Sequence, residues 1–104
     1  MTISVDSQEF DGPFPLSTAH LRLESRSGVY VILTLDHLGR YEVVDVGESE
    51  DVRHRVCNSH ERESCWMLNN KQGLYVAALY CSERERMVIE RSIRQTFQPA
   101  CGVR

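Results

Sequence analysis

Against eleven arginines the chain carries one lysine, and it has one tryptophan, three prolines and four cysteines with no CxxC pair among them. Each shortage excludes something. Without a CxxC pair neither a zinc ribbon nor a thioredoxin-type redox site is indicated. The N-terminal stretch MTISVDSQEF lacks the basic region and apolar block of a secretory leader. Free thiols are therefore the default expectation for Cys57, Cys65, Cys81 and Cys101, and the expected localisation is cytoplasmic. No apolar run approaches the roughly 18 residues needed to cross a bilayer. Neither a low-complexity run nor a Pro/Gly/Ser-rich linker is present. With 104 residues, 41% hydrophobic and 26% charged, the chain reads as one folded domain around one modest core.

A formal charge of −3 argues against a protein that coats nucleic acid by neutralising phosphates wholesale. The cationic set is nonetheless almost all arginine, whose planar fork grips phosphate or carboxylate. Seven arginines fall at positions 53, 55, 62, 84, 86, 91 and 94, in or beside the segments read below as helical. Interleaved with glutamate, most of them suit a solvated surface.

Residues 1–26 are read as an N-terminal extension packed on a domain of residues 27–104. The segment FDGPFP at 10–15 reads as irregular or turn-rich, because proline fixes φ and removes a donor. GVYVILTLD (28–36) and YEVVDVG (41–47), separated by HLGR, read as a β-hairpin. Alternation places Val29, Val31 and Leu33 on one face and Tyr30 and Ile32 on the other. In the second strand it sets Val44 and Val46 opposite Val43 and Asp45. A helix start follows Gly47, with Ser49 as N-cap, acids in the first turn, and Val52 and Val56 at i, i+4. Trp66, Met67 and Leu68 suit a short helix, and LYVAALYC (74–81) a buried third strand. Ser82 with Glu85 forms a capping box for a helix on which Ile89, Ile93 and Phe97 recur at i, i+4, i+8, ending before Gln98-Pro99. The expected class is α+β, a small three-stranded antiparallel sheet flanked by helices. His54, Cys57, His60 and Cys65 offer a zinc-ligand set only if the first helix stops near Asn58.

Four pieces then coincide: Gly28-Val29-Tyr30 on the first strand, Asp45-Val46-Gly47 ending the second, Arg55 eight residues beyond that glycine, and Glu90 nine residues before Pro99. Together they resemble the GIY-YIG nuclease domain over roughly residues 27–102. The second tyrosine of the family pattern is replaced by Asp45. Four residues after Arg55, where the family often has His or Tyr, stands Ser59, with His60 next, and Gly102 occupies a position often held by asparagine.

The resemblance implies a metal-dependent endonuclease hydrolysing phosphodiester bonds of nucleic acid, DNA above all. Tyr30 would be general base or water orienter, Arg55 would contact the phosphate, and Glu90 would hold a single Mg²⁺ or Mn²⁺. Free tyrosine titrates near about 10, so Tyr30 would need nearby positive charge or a histidine, His60 or His54, to act as a base. Asp45 has two readings, a second metal ligand beside Glu90 or a salt-bridge partner of a neighbouring arginine. The alternative for Arg55 is a pair with Asp51 alone, and for Glu90 a pair with Arg86 or Arg94. The competing function is a catalytically silent module of the same fold that binds nucleic acid or a protein partner. Nucleases of this family usually take their target from an additional DNA-binding domain; at this length the expectation is action on DNA structure, action through a targeting partner protein, or little recognition by the chain itself.

Overall fold

The alternating segments at 28–47 pair as the sequence suggests. In the computed structural model, which describes residues 1–102, strand β3 (Gly28–Leu35) runs antiparallel to β4 (Tyr41–Ser49), with Tyr30 opposite Gly47 and Ile32 opposite Asp45. On its other side β3 pairs antiparallel with β5 (Leu74–Tyr80). Being central, β3 is buried from Gly28 through Thr34, which accounts for its run of β-branched residues.

The sheet is larger than the expected three strands. The N-terminal extension, whose segment 10–15 reads as irregular or turn-rich, forms β1 (Thr2–Val5) and β2 (Gln8–Pro15), a hairpin that adds to β5, giving five antiparallel strands in the order β1-β2-β5-β3-β4. Pro13 is tolerated because the β2–β5 register shifts between Asp11 and Phe14, so that no ladder donor is required there, and Pro15 is the last residue of the strand. Gly12 sits at that shift with φ 123, and a side chain on it would collide with the backbone of Val76 and Ala77.

Two apolar layers flank the sheet. On one face Tyr30, Ile32, Val76 and Ala78 pack under Val52 and Val56 of α1 (Val52–Cys57), Trp66 of α2 (Glu63–Leu68), and Ala19 of a 3-10 segment at Leu16–Leu21. On the other, Val29, Val31, Leu33, Val46 and Phe10 meet Ile93 of α3 (Glu83–Phe97). Strict alternation in β4 fails at one place: a register shift opposite Ile32/Leu33 sends Val44 to the α1 face while Val43 and Val46 face α3. Asp45 remains on the Tyr30 side.

The helix signals resolve with one change. The capping box of Ser82 and Glu85 opens α3. The N-cap of α1 is Asp51, whose side chain accepts from His54 N–H at 3.0 Å, whereas Ser49 ends β4. The default of four free thiols is also corrected: Cys65 of α2 and Cys101 are disulfide-bonded, and Cys57 and Cys81 are free. A cysteine pair 36 residues apart leaves no spacing signature; only the fold shows that α2 and the segment after α3 lie side by side. No helix among the described residues is long and apolar enough to cross a membrane.

Candidate active site

Tyr30, Arg55 and Glu90, drawn from β3, α1 and α3, line a single cleft of about 240 Å³. Gly47 and Glu48 of β4 form one wall, Arg62, Arg94 and Gly102 another. The cleft depends on Gly47: a Cβ at that position would overlap the Tyr30 hydroxyl and ring, so only glycine lets the phenol lie across β4.

His60 reaches the same place by leaving the helix. α1 ends at Cys57, Asn58 caps it in a non-helical conformation, and Ser59 takes φ 56, which turns the chain back toward the sheet. The buried His60 ring lies with Nε2 at 2.6 Å from Tyr30 Oη and against Trp66, centroids 4.4 Å apart. Its Nδ1 accepts from the backbone N–H of Arg62 at 3.1 Å. A neutral imidazole has one N–H and one lone pair, so these partners assign the proton to Nε2, which donates to Tyr30 Oη. Burial, aided by Arg55 and Arg62, pushes the imidazole down to about 4, so it is neutral at physiological pH. Burial pushes Tyr30 up to about 12, against the opposing pull of Arg55 and Arg62. The pair is thus a phenol receiving a hydrogen bond from a neutral imidazole, with the phenol's own proton still to be placed.

Asp45 lies at the centre of a closed ion network. It is fully buried; Oδ1 accepts from Val46 N–H at 2.8 Å and Arg94 Nη2 at 3.1 Å, while Oδ2 accepts from Arg62 Nε and Trp66 Nε1, each at 2.7 Å. Four donors saturate the carboxylate's lone pairs. The expectation of Asp45 as a second metal ligand is therefore corrected: it is the salt-bridge partner of two arginines and does not line the cleft. Arg94, itself buried, spans from α3 around the edge of β4, also donating to the carbonyls of Val46, Cys101 and Gly102. Cys101 N–H closes the same edge by donating to Val44 O at 3.0 Å.

Arg55 pairs not with Asp51 but with Glu61, through two Nη–Oε contacts of 2.6 and 2.5 Å. Glu90 accepts from Arg94 Nε at 2.9 Å through Oε2, and no hydrogen bond among the described residues engages its Oε1. Glu48 is held by Arg86 at 2.6 Å. The zinc reading is corrected too. Cys65 is in the disulfide, His60 is spent on Tyr30 and Arg62, and no group of three or more His, Cys, Asp or Glu suited to a metal occurs among the described residues. His54 and Cys57 face a separate, wider cleft of about 550 Å³ on the far side of α1, away from Tyr30.

Spacing brought Tyr30, Arg55, His60 and Glu90 into view but not the residues that fix them. Glu61, Arg62 and Arg94 are ordinary surface types in sequence, and Trp66 reads only as a packing residue of a short helix. Their only available signals were that Glu61 and Arg62 flank His60 and that Arg94 follows Glu90 by one helical turn.

No protein-family model matches the sequence, and no curated protein matches it. Solved structures do match in three dimensions. The GIY-YIG N-terminal endonuclease domain of UvrC from Thermotoga maritima, bound to its catalytic divalent cation magnesium, superposes with a TM-score of 0.65 at 14% identity, covering 85% of this chain and 96% of that one. Two tyrosine-to-phenylalanine point mutants of that domain, with their catalytic divalent cation, superpose at 0.62, with 16% and 15% identity and coverage of 86% and 85% of this chain and 96% of theirs. The chain thus has the fold of a GIY-YIG endonuclease domain.

Proposed function

We propose that this chain is a metal-dependent nuclease that hydrolyses phosphodiester bonds in DNA. The observation carrying the proposal is that Tyr30, Arg55 and Glu90, far apart in sequence, line one cleft of a GIY-YIG fold, with Tyr30 hydrogen-bonded to the buried His60. Hydrolysis requires a positioned water, cationic stabilisation of the phosphorane and a stabilised leaving oxygen.

A proton on Tyr30 at physiological pH favours the water-orienting role over general base. With Nε2–H of His60 donated to Oη, the hydroxyl proton of Tyr30 is directed at a different acceptor, and an attacking water or a phosphate oxygen in the cleft supplies one. His60 acts as a donor that fixes the phenol's orientation, and with its proton on Nε2 it does not accept the proton of Tyr30. Arg55, at the rim, offers its fork to the non-bridging phosphate oxygens.

Glu90 is the residue suited to a divalent ion. Its carboxylate lines the cleft with one oxygen engaged by Arg94, and Mg²⁺ commonly binds through one or two carboxylates with waters and substrate phosphate completing the shell. When bound, the ion would supply charge stabilisation to the departing oxygen. The donors fit that role with Glu90 alone, since Asp45 is closed off.

The test is cleavage of single-stranded, double-stranded and branched DNA with Mg²⁺ or Mn²⁺, against Glu90→Ala. Ion-dependent products that fall about a hundredfold or more in the variant are expected, because metal stabilisation of a transition state is worth several kcal/mol. Products indifferent to Glu90 would overturn the reading. DNA binding without products would instead favour the silent module, a reading supported by the internal ion pairs that hold Arg55 and Glu90.

A further inference from the structure

Among the arginines that line the cleft, Arg62 and Arg94 are bound to the fully buried Asp45, whereas the side chain of Arg55 has only the exposed Glu61 as an ion-pair partner among the described residues; Glu61 also meets Arg62 Nη1, at a longer 3.5 Å. Glu61 is 60% exposed, yet both of its oxygens lie on the two Nη groups of Arg55. This side-by-side fork is the geometry a phosphate takes on arginine. The residues on either side of Glu61 are fixed, His60 on Tyr30 and Arg62 on Asp45. The backbone at 61 is therefore anchored, while the side chain hangs over the rim where it can be displaced.

We propose that Glu61 sets the affinity of the cleft for phosphate, its carboxylate occupying the Arg55 fork as a built-in anion that an incoming phosphoryl group must displace. The proposal rests on the assignment of Arg55 as the phosphate-binding residue. Carboxylate and phosphate compete for the same N–H donors, so Glu61 raises the phosphate concentration needed to load Arg55. An exposed ion pair is weak, so the penalty is modest and the exchange is feasible at each encounter.

The experiment uses the full chain, ¹⁵N-labelled and free of divalent metal, titrated with inorganic phosphate and read at the backbone amides of residues 55 and 62. Glu61→Gln is expected to half-saturate at about fivefold lower phosphate than the wild type, the exposed pair being worth up to about 1 kcal/mol. In an Arg55→Gln background, the same Glu61→Gln substitution is expected to give no such gain. Equal or weaker phosphate binding by Glu61→Gln would mean that Glu61 aims Arg55 and does not compete for it, overturning the proposal. A gain that persists without Arg55 would reduce it to net charge and overturn it equally, as would absence of saturable binding in both proteins. Because the probe is phosphate, failure to cleave DNA leaves this outcome distinct from the nuclease assay.

Discussion

Replacing Asp45 by asparagine separates a structural keystone from a metal ligand. The carboxylate accepts four hydrogen bonds with no solvent exposure. Asparagine keeps one acceptor oxygen and turns an NH₂ toward the other two donors, so one pair, either Val46 N–H with Arg94 or Arg62 with Trp66, meets a donor in place of an acceptor. Each buried unsatisfied group costs about 1–3 kcal/mol, and breaking a buried ion pair from one side about 3–5 kcal/mol. Arg94 keeps Glu90 and three backbone carbonyls, and Arg62, 26% exposed, can recover water. Both place the expected loss toward the lower end, about 3 kcal/mol. For a domain of this size that lowers Tm by about 12–20 °C. Urea unfolding with an unchanged m-value measures it. Mn²⁺ affinity of the folded variant, measured well below its Tm, is expected to match the wild type. A stability loss under about 1 kcal/mol, or a tenfold fall in Mn²⁺ affinity with the fold intact, would refute this account of Asp45.

Two further outcomes follow from the buried pairings. His60 is pushed from its ordinary value of 6.5 down to about 4 in the folded protein. The unfolded chain therefore takes up the proton first as pH falls, so stability is whole above about 6.5 and is lost on acidification toward about 4, by up to about 3 kcal/mol. Denaturant titrations across this window should be flatter for His60→Phe than for the wild type, and parallel slopes would exclude the assignment. The Cys65–Cys101 bridge closes a 36-residue separation, for which loop entropy predicts a loss of about 3–4 kcal/mol in Cys101→Ser or under thiol reductant. Unchanged unfolding midpoints, or four titratable thiols in the native protein, would contradict it.

The residues of the sheet core announced themselves because burial on both faces selects a β-branched run, as at Val29–Leu33, and because Ser82 and Glu85 carry a local capping signature. What stayed hidden depends on long-range contact. β2 contains two prolines, and only the bulge against β5 at Pro13 and the strand end at Pro15 show why they are compatible with it. The bulge at Val44 broke an alternation that looked regular in sequence. At the site, Arg55 and Glu90 were visible from their spacing on helices, whereas His60 depended on where a helix of six residues would stop. The choice between the two readings of Asp45 had the same origin. A carboxylate's neighbours decide its chemistry, and three of its four came from residues at least 17 positions away.

The hairpin at the N-terminus carries a practical consequence for anyone cutting the protein down. β2 lies along β5, with Phe10 completely enclosed. A fragment started at Ser27 to match the family motif would bare an unpaired row of amides and carbonyls on β5 and empty the space filled by that ring. Such a strand flank is a template for self-association, so the trimmed species would be expected to precipitate, and its inactivity would say nothing about the cleft.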